Sequence, residues 1–105
     1  PEGAVPKDGP SAGVTMVTAM LSAIIKKKVK ADLAMTGEVT IRGRVLSVGG
    51  LKEKLLAAKR AKISTVLAPK ENEKDIEEIE TEIKDGLDIK YISNMKDAIE
   101  LSLLA

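Results

Sequence analysis

Helical spacing of apolar residues predicts four helices along the chain. In the first, over residues 11–27, apolar side chains recur every three or four positions. Its predicted inward stripe consists of Val14, Val17, Leu21, Ile24 and Ile25. The same spacing predicts helices over residues 51–61, 72–80 and 94–104, of which the third is acidic.

Alternating or clustered apolar residues predict strands between these helices. Two strands, at residues 39–41 and 45–48, flank Gly43, which indicates a β-hairpin. A buried strand is predicted over residues 65–68, and a half-buried strand over residues 87–92. Because strands alternate with helices in the C-terminal half, we predict an α/β (α+β) fold with a partly parallel sheet, a β-hairpin and about four helices.

The composition limits the size and the character of the core. At 105 residues the chain is one domain or part of one. Apolar residues make up 44%, and Tyr91 is the only aromatic residue, so the core must be aliphatic. Residues 1–10 contain three of the four prolines, which predicts an irregular segment before the first helix.

The charge balance argues against a nucleic-acid surface. Lys and Arg total 17, Asp and Glu total 16, and nucleic-acid surfaces usually carry a large basic excess. The run at residues 26–28 is interpreted as a solvated helix C-terminus, with a binding patch as the alternative. No apolar run approaches the ~20 residues of a membrane span. The absence of cysteine is compatible with a reducing compartment, so we expect a cytoplasmic location.

The absence of histidine and cysteine also narrows the available chemistry. A zinc site is not expected without them. The glycine pairs match neither the phosphate-binding loop nor the dinucleotide motif, so no cofactor site is predicted in this chain. A serine nucleophile would need a carboxylate, a lysine or a group from another chain as its base.

Ser11 is the candidate nucleophile. It follows a Pro/Gly-rich approach and is predicted to start the first helix, where unpaired backbone N–H groups could stabilise an oxyanion. The alternative is a plain N-cap serine.

Lys54 is the candidate base. It is predicted on the flank of the apolar stripe of helix 51–61, beside Ala57 and Ala58. Acting as a base near neutral pH requires the uncharged amine, which burial would favour. The alternative is a lysine whose stem lies on apolar surface while its charge stays in water. Thr36 could hold the amine and Asp8 could cap the helix or gate the site, although ordinary turn and capping roles suit both residues.

Three motifs occur in order along the chain: PKDGPSAG at residues 6–13, MTGE at 35–38 and GGLKEKLLAA at 49–58. With the sequence around them, they closely resemble the proteolytic domain of the Lon family of ATP-dependent proteases. The resemblance runs through essentially the whole chain. It implies that residues 1–105 are the C-terminal half of that domain, without its N-terminal half and without the ATPase module.

The resemblance also implies roles for individual residues. Ser11 corresponds to the nucleophile and Lys54, the second lysine of GGLKEK, to the general base. Thr36 matches the threonine that bonds the catalytic lysine, and Asp8 matches an aspartate that can obstruct the site in inactive forms.

At the level of the whole protein, the resemblance implies an ATP-dependent serine endopeptidase that degrades misfolded and regulatory proteins. It further implies a homo-oligomeric ring, usually hexameric, with ATP and Mg²⁺ bound by the absent ATPase module. We expect contacts with the missing N-terminal half of the protease domain. We expect no membrane partner and no nucleic-acid partner. Two alternatives stay open: a Lon-like peptidase without its own ATPase, and a non-catalytic ring-assembly domain.

Overall fold

The computed structural model describes the backbone of residues 11–104 and the side chains of residues 13–104. Within this range the chain forms six strands and five α-helices. The strands are β1 Ser11–Gly13, β2 Leu33–Met35, β3 Glu38–Thr40, β4 Val45–Leu46, β5 Thr65–Pro69 and β6 Asp88–Ile92. The helices are α1 Val14–Ile25, α2 Leu51–Arg60, α3 Glu73–Glu77, α4 Thr81–Lys84 and α5 Met95–Ser102, with a 3₁₀ turn at Lys70–Asn72 before α3.

The strands form two small sheets of opposite kind. In the first, β3 lies between β1 and β4 and is antiparallel to both. In the second, β5 lies between β2 and β6 and is parallel to both. The parallel connections run through α2, and through α3 and α4, as expected for βαβ units. The predicted α/β class, the partly parallel sheet and the β3–β4 hairpin are therefore confirmed.

The core is aliphatic, as predicted, and is divided by the parallel sheet. One cluster packs the start of α1 and the hairpin against β5, β6 and α5, with Val14, Val39, Val45, Leu67, Ile92 and Ala98 buried. On the other side, Leu51, Leu55 and Ala58 of α2 and Ile76 of α3 cover Val66 and Ala68 of β5, and Ile83 of α4 packs against them partly buried. Burial of β5 on both faces explains its nearly continuous apolar sequence.

The first helix differs from the prediction at its beginning. It starts at Val14 rather than at residue 11, because residues 11–13 pair with β3 as a strand. The predicted stripe is also only partly buried: Val14 is fully buried, whereas Ile24 is 70% exposed. The helix ends at Ile25, and residues 26–28 are exposed beyond it, as predicted for a solvated C-terminus.

The helix predicted over residues 72–80 is shorter in the structure, where it follows the 3₁₀ turn and spans Glu73–Glu77 as α3. A further short helix, α4 at Thr81–Lys84, lies beyond the predicted segment, so residues 11–104 form five α-helices where about four were predicted.

Candidate active site

Lys54 is held near the beginning of α2. Gly50 is the N-cap in the left-handed conformation, and its carbonyl accepts the first helical hydrogen bond from the Lys54 N–H at 3.0 Å. Side chains of a helix point back toward its N-terminus. Accordingly, the Lys54 Nζ donates a hydrogen bond to the Gly49 carbonyl oxygen at 3.1 Å. The Lys54 side chain is exposed in this chain.

A cavity of about 350 Å³ lies between α2 and the β2–β5 face of the parallel sheet. Lys54 and Thr36 contribute the polar part of its lining. The remaining lining residues are apolar and mostly small: Ala34, Met35, Leu51, Leu55, Ala57, Ala58, Ala61, Ile63, Val66, Ala68 and Ile76. The alanines of α2 keep this space open, because longer side chains at those positions would fill it. The predicted location of Lys54 beside Ala57 and Ala58 is confirmed.

Thr36 is placed by the end of β2. Its N–H donates to the Leu67 carbonyl at 2.9 Å, which continues the parallel pairing with β5 by one residue. The next residue, Gly37, is buried and has φ +141°, a conformation that side chains rarely adopt. A Cβ there would lie 3.0 Å from the Val45 Cγ1. The glycine of MTGE is thus required by close packing beside Thr36.

Ser11 lies on a strand and not at the helix start. In the antiparallel pairing of β1 with β3, Ser11 is opposite Thr40 and Gly13 is opposite Glu38. The following residues run past the Thr36 segment, because the Val14 N–H donates to the Gly37 carbonyl at 3.0 Å. The backbone that follows Ser11 therefore approaches Gly37 and Glu38, the two residues after Thr36, whereas Ser11 itself lies opposite Thr40.

The proposed geometry at the helix start needs one correction. The Val14 N–H, the first of α1, already bonds the Gly37 carbonyl and is not free for an oxyanion. Ser11 precedes the helix by three residues, so it is not the N-cap, which is Gly13. The side chain of Ser11 and the whole of Asp8 lie outside the described residues, and their predicted roles stay predictions.

Two residues that the sequence did not single out hold the loop before α2. The Glu71 carboxylate accepts the Ser47 N–H at 3.0 Å and the Arg44 guanidinium at 3.0 Å. These bonds lower the pKa of Glu71, first through Arg44 and then through the Ser47 N–H. Asn72 bonds both the N–H and the carbonyl of Val48. Glu71 and Asn72 follow the buried strand β5 after one intervening residue, and this polar pair is the signal that the sequence offers. Their partners, more than 20 positions earlier, show no such signal.

Other charged groups of α2 point away from the cavity into ion pairs and helix contacts. Lys52 pairs with Glu80 at 3.1 Å, and the Lys59 Nζ donates to the Glu82 carbonyl at 2.7 Å. Both contacts join α2 to the segment around α4. The two lysines of GGLKEK are therefore distinguished by position: Lys52 has an ion-pair partner on the surface, whereas Lys54 edges the cavity.

Residues 11–104 contain no cluster of three or more acidic residues positioned to hold a metal ion. Within the same range, no helix has both the length and the apolar character needed to cross a membrane.

An α/β domain in which a lysine and a threonine edge one cavity has residue types that a hydrolase without histidine can use. Comparison with known proteins specifies the family. Residues 1–105 match the Lon protease (S16) C-terminal proteolytic domain, and the chain belongs to this family.

Several Lon proteases are highly similar to this chain. The Lon protease of Parabacteroides distasonis is 60% identical over 104 residues, and that of Lachnoclostridium phytofermentans is 59% identical over 104 residues. Lon protease 1 of Bacillus subtilis is 54% identical over 104 residues. Each alignment covers 99% of this chain but 13% of the relative. The chain thus spans about an eighth of the length of these relatives.

Proposed function

We propose that this domain carries the Ser-Lys dyad of a serine endopeptidase, with Ser11 as nucleophile and Lys54 as general base. The observation that supports this most directly is the shared cavity of Lys54 and Thr36. The strand containing Ser11 pairs with Glu38–Thr40, the strand that follows Thr36 and Gly37 in the chain. Thr36 would help to orient the Lys54 amine, and Asp8 would be a further supporting residue.

In this mechanism the uncharged Lys54 amine takes the proton of Ser11 as the serine oxygen attacks a peptide carbonyl. Backbone N–H groups near Ser11 would stabilise the oxyanion, with that of Val14 excluded by its bond to Gly37. Protonated Lys54 then gives its proton to the leaving amine. Water, activated by the same amine, releases the acyl group from Ser11.

The exposure of Lys54 supports a second part of the proposal. A general base must be uncharged, and burial favours the uncharged form of a lysine amine. We propose that the N-terminal half of the protease domain covers Lys54 in the working enzyme. The whole protein would be an ATP-dependent protease of misfolded and regulatory proteins, assembled as a hexameric ring in the cytoplasm. ATP and Mg²⁺ would bind to a module outside this chain.

The test replaces one lysine at a time in the full-length protein. Lys54→Arg should abolish peptide cleavage, because a guanidinium stays protonated at neutral pH. The matched control is Lys52→Arg. Lys52 lies on the same helix, and its replacement by arginine keeps a cation beside Glu80. We expect it to retain nearly full activity.

Cleavage at the normal rate by Lys54→Arg would show that the base lies elsewhere. Absence of cleavage by the unmodified full-length protein, with intact assembly, would favour a ring-assembly domain. Cleavage that needs no ATP would favour a peptidase without its own ATPase.

A further inference from the structure

We propose that Asn72 is a positioning residue for Lys54. It acts through the loop of residues 47–50, whose Gly49 carbonyl accepts the hydrogen bond from the Lys54 Nζ. This inference rests on the proposed function, because it assigns Asn72 a role in orienting the proposed base.

The Asn72 side chain makes two hydrogen bonds to the backbone of Val48 in this loop. Its Oδ1 accepts the Val48 N–H at 2.9 Å, and its Nδ2 donates to the Val48 carbonyl at 3.1 Å. The side chain is 2% exposed, so water does not compete readily for either bond. The Nδ2 also donates to the Asp75 Oδ2 at 2.8 Å. Because a carboxylate only accepts hydrogen bonds, this contact fixes which way the amide faces.

Glu71 makes a similar contact with the backbone of the preceding loop residue, Ser47. Its Oε1 accepts the Ser47 N–H at 3.0 Å, and its Oε2 is held by the Arg44 guanidinium. Two consecutive side chains after β5 therefore bind two consecutive backbone units of the loop. The arrangement resembles the pairing of a short strand, made by side chains instead of backbone.

The loop needs such support because of its own sequence. Gly49 and Gly50 separate Val48 from α2, and glycine has the widest backbone freedom of all residues. The N-cap, Gly50, has no side chain to bond the first turn of α2. The bonds from Asn72 therefore fix the start of the short glycine segment that carries the Gly49 carbonyl, and its other end is fixed by the first hydrogen bond of α2 from the Lys54 N–H to the Gly50 carbonyl.

The direction of that carbonyl matters for the base. An uncharged lysine amine that donates one hydrogen to the Gly49 oxygen has its lone pair aimed away from that oxygen. Holding the carbonyl thus restricts the direction from which the amine can take a proton. Misplacement of a reacting group by about 1 Å can lower a rate by about 100-fold.

The test measures kcat and KM of the full-length protein with a fluorogenic peptide. For Asn72→Ala we expect kcat to fall by about 10-fold or more, with KM within about 2-fold, because the peptide contacts remain while an interaction of the transition state is weakened. The matched control is Asn94→Ala. This asparagine caps α5 by accepting the Asp97 N–H at 2.9 Å, and we expect kcat within about 2-fold of the unmodified protein.

A paired substitution separates positioning from folding. Asn72→Asp should lower kcat as much as Asn72→Ala, because a carboxylate would face the Val48 carbonyl and Asp75, both acceptors. Adding Asp75→Asn supplies a donor to that carboxylate and keeps the bond from the Val48 N–H. The double variant should recover kcat by about 3-fold or more over Asn72→Asp. This comparison also decides the question if Asn72→Ala does not fold.

The outcomes distinguish this inference from the proposed function. If Lys54→Arg is inactive while Asn72→Ala and Asn72→Asp keep the normal kcat, only the role of Asn72 is wrong. The same conclusion follows if the double variant recovers nothing, or if kcat falls equally in Asn94→Ala. If Lys54→Arg cleaves normally, both proposals fall.

Discussion

Replacing Gly37 by alanine should destabilise the domain strongly, because two independent costs meet at this residue. Its φ of +141° lies in a region that favours glycine, which costs about 1–3 kcal/mol for another residue. The new Cβ would lie 3.0 Å from the Val45 Cγ1 and 3.3 Å from the Pro69 Cγ. Both neighbours are buried and have little room to move, so overpacking adds about 1–3 kcal/mol. The expected loss of unfolding free energy is about 2–6 kcal/mol.

Urea unfolding followed by far-ultraviolet circular dichroism measures this loss. The midpoint for Gly37→Ala should fall by about 1 M or more. Gly49→Ala is the matched control, because a Cβ there meets no atom within 4 Å and the residue does not have positive φ. Its unfolding free energy should stay within about 1 kcal/mol of the unmodified chain. Equal midpoints for Gly37→Ala and the control would refute the argument from packing and backbone conformation.

Three further predictions follow from burial and charge. The Arg44 guanidinium, and next the Ser47 N–H, lower the pKa of Glu71 below its ordinary value of 4.5. These bonds therefore stabilise the fold above pH 4.5, and their contribution is lost as the pH falls through the lowered pKa of Glu71 in the folded state. Glu71→Gln should therefore lower the urea midpoint at pH 7 but not near pH 2, and an equal loss at both would contradict this. Ile76→Ala should cost about 2–5 kcal/mol, since Ile76 is 1% exposed, whereas Ile41→Ala, at 76% exposed, should cost less than about 0.5 kcal/mol. The isolated 105-residue chain, with Lys54 exposed, should cleave peptides weakly or not at all, and strong cleavage by the pure chain would be evidence against the need for a covering segment.

Local patterns in the sequence predict the fold best where the elements are amphipathic. Helix α2 follows its predicted bounds within one residue, with Leu51, Leu55 and Ala58 buried as expected. The hairpin turn at Gly43 also agrees, since this glycine has φ +86°. In these elements the contacts that decide the structure come from residues close in sequence.

Predictions fail where distant pairing overrides local spacing. The local pattern allows Ser11 to Gly13 to be the first turn of α1. Instead, they pair with β3, which lies more than 20 residues later in the chain, and form a strand. The exposed stripe of α1, with Met16, Met20 and Ile24 each at least 60% exposed, cannot be distinguished from a buried stripe by periodicity.

The candidate site was partly predictable for the same reason. The resemblance to the Lon proteolytic domain implies that Thr36 lies near Lys54, and the two residues line one cavity. Glu71 and Asn72 bind the backbone of residues 47–48, which lie 24 positions earlier in the sequence, and no local pattern indicates these contacts.

The central claim, that Lys54 activates Ser11, is tested most directly by acylation of the full-length protein. A serine-directed acylating reagent should label Ser11, as located by peptide mass spectrometry. Lys54→Arg should lower the labelling rate by about 100-fold or more, because general-base catalysis contributes about 10²–10⁴-fold. Lys52→Arg should be labelled at the normal rate. Labelling of Ser11 at equal rates in all three proteins, or labelling at another serine, would contradict the dyad.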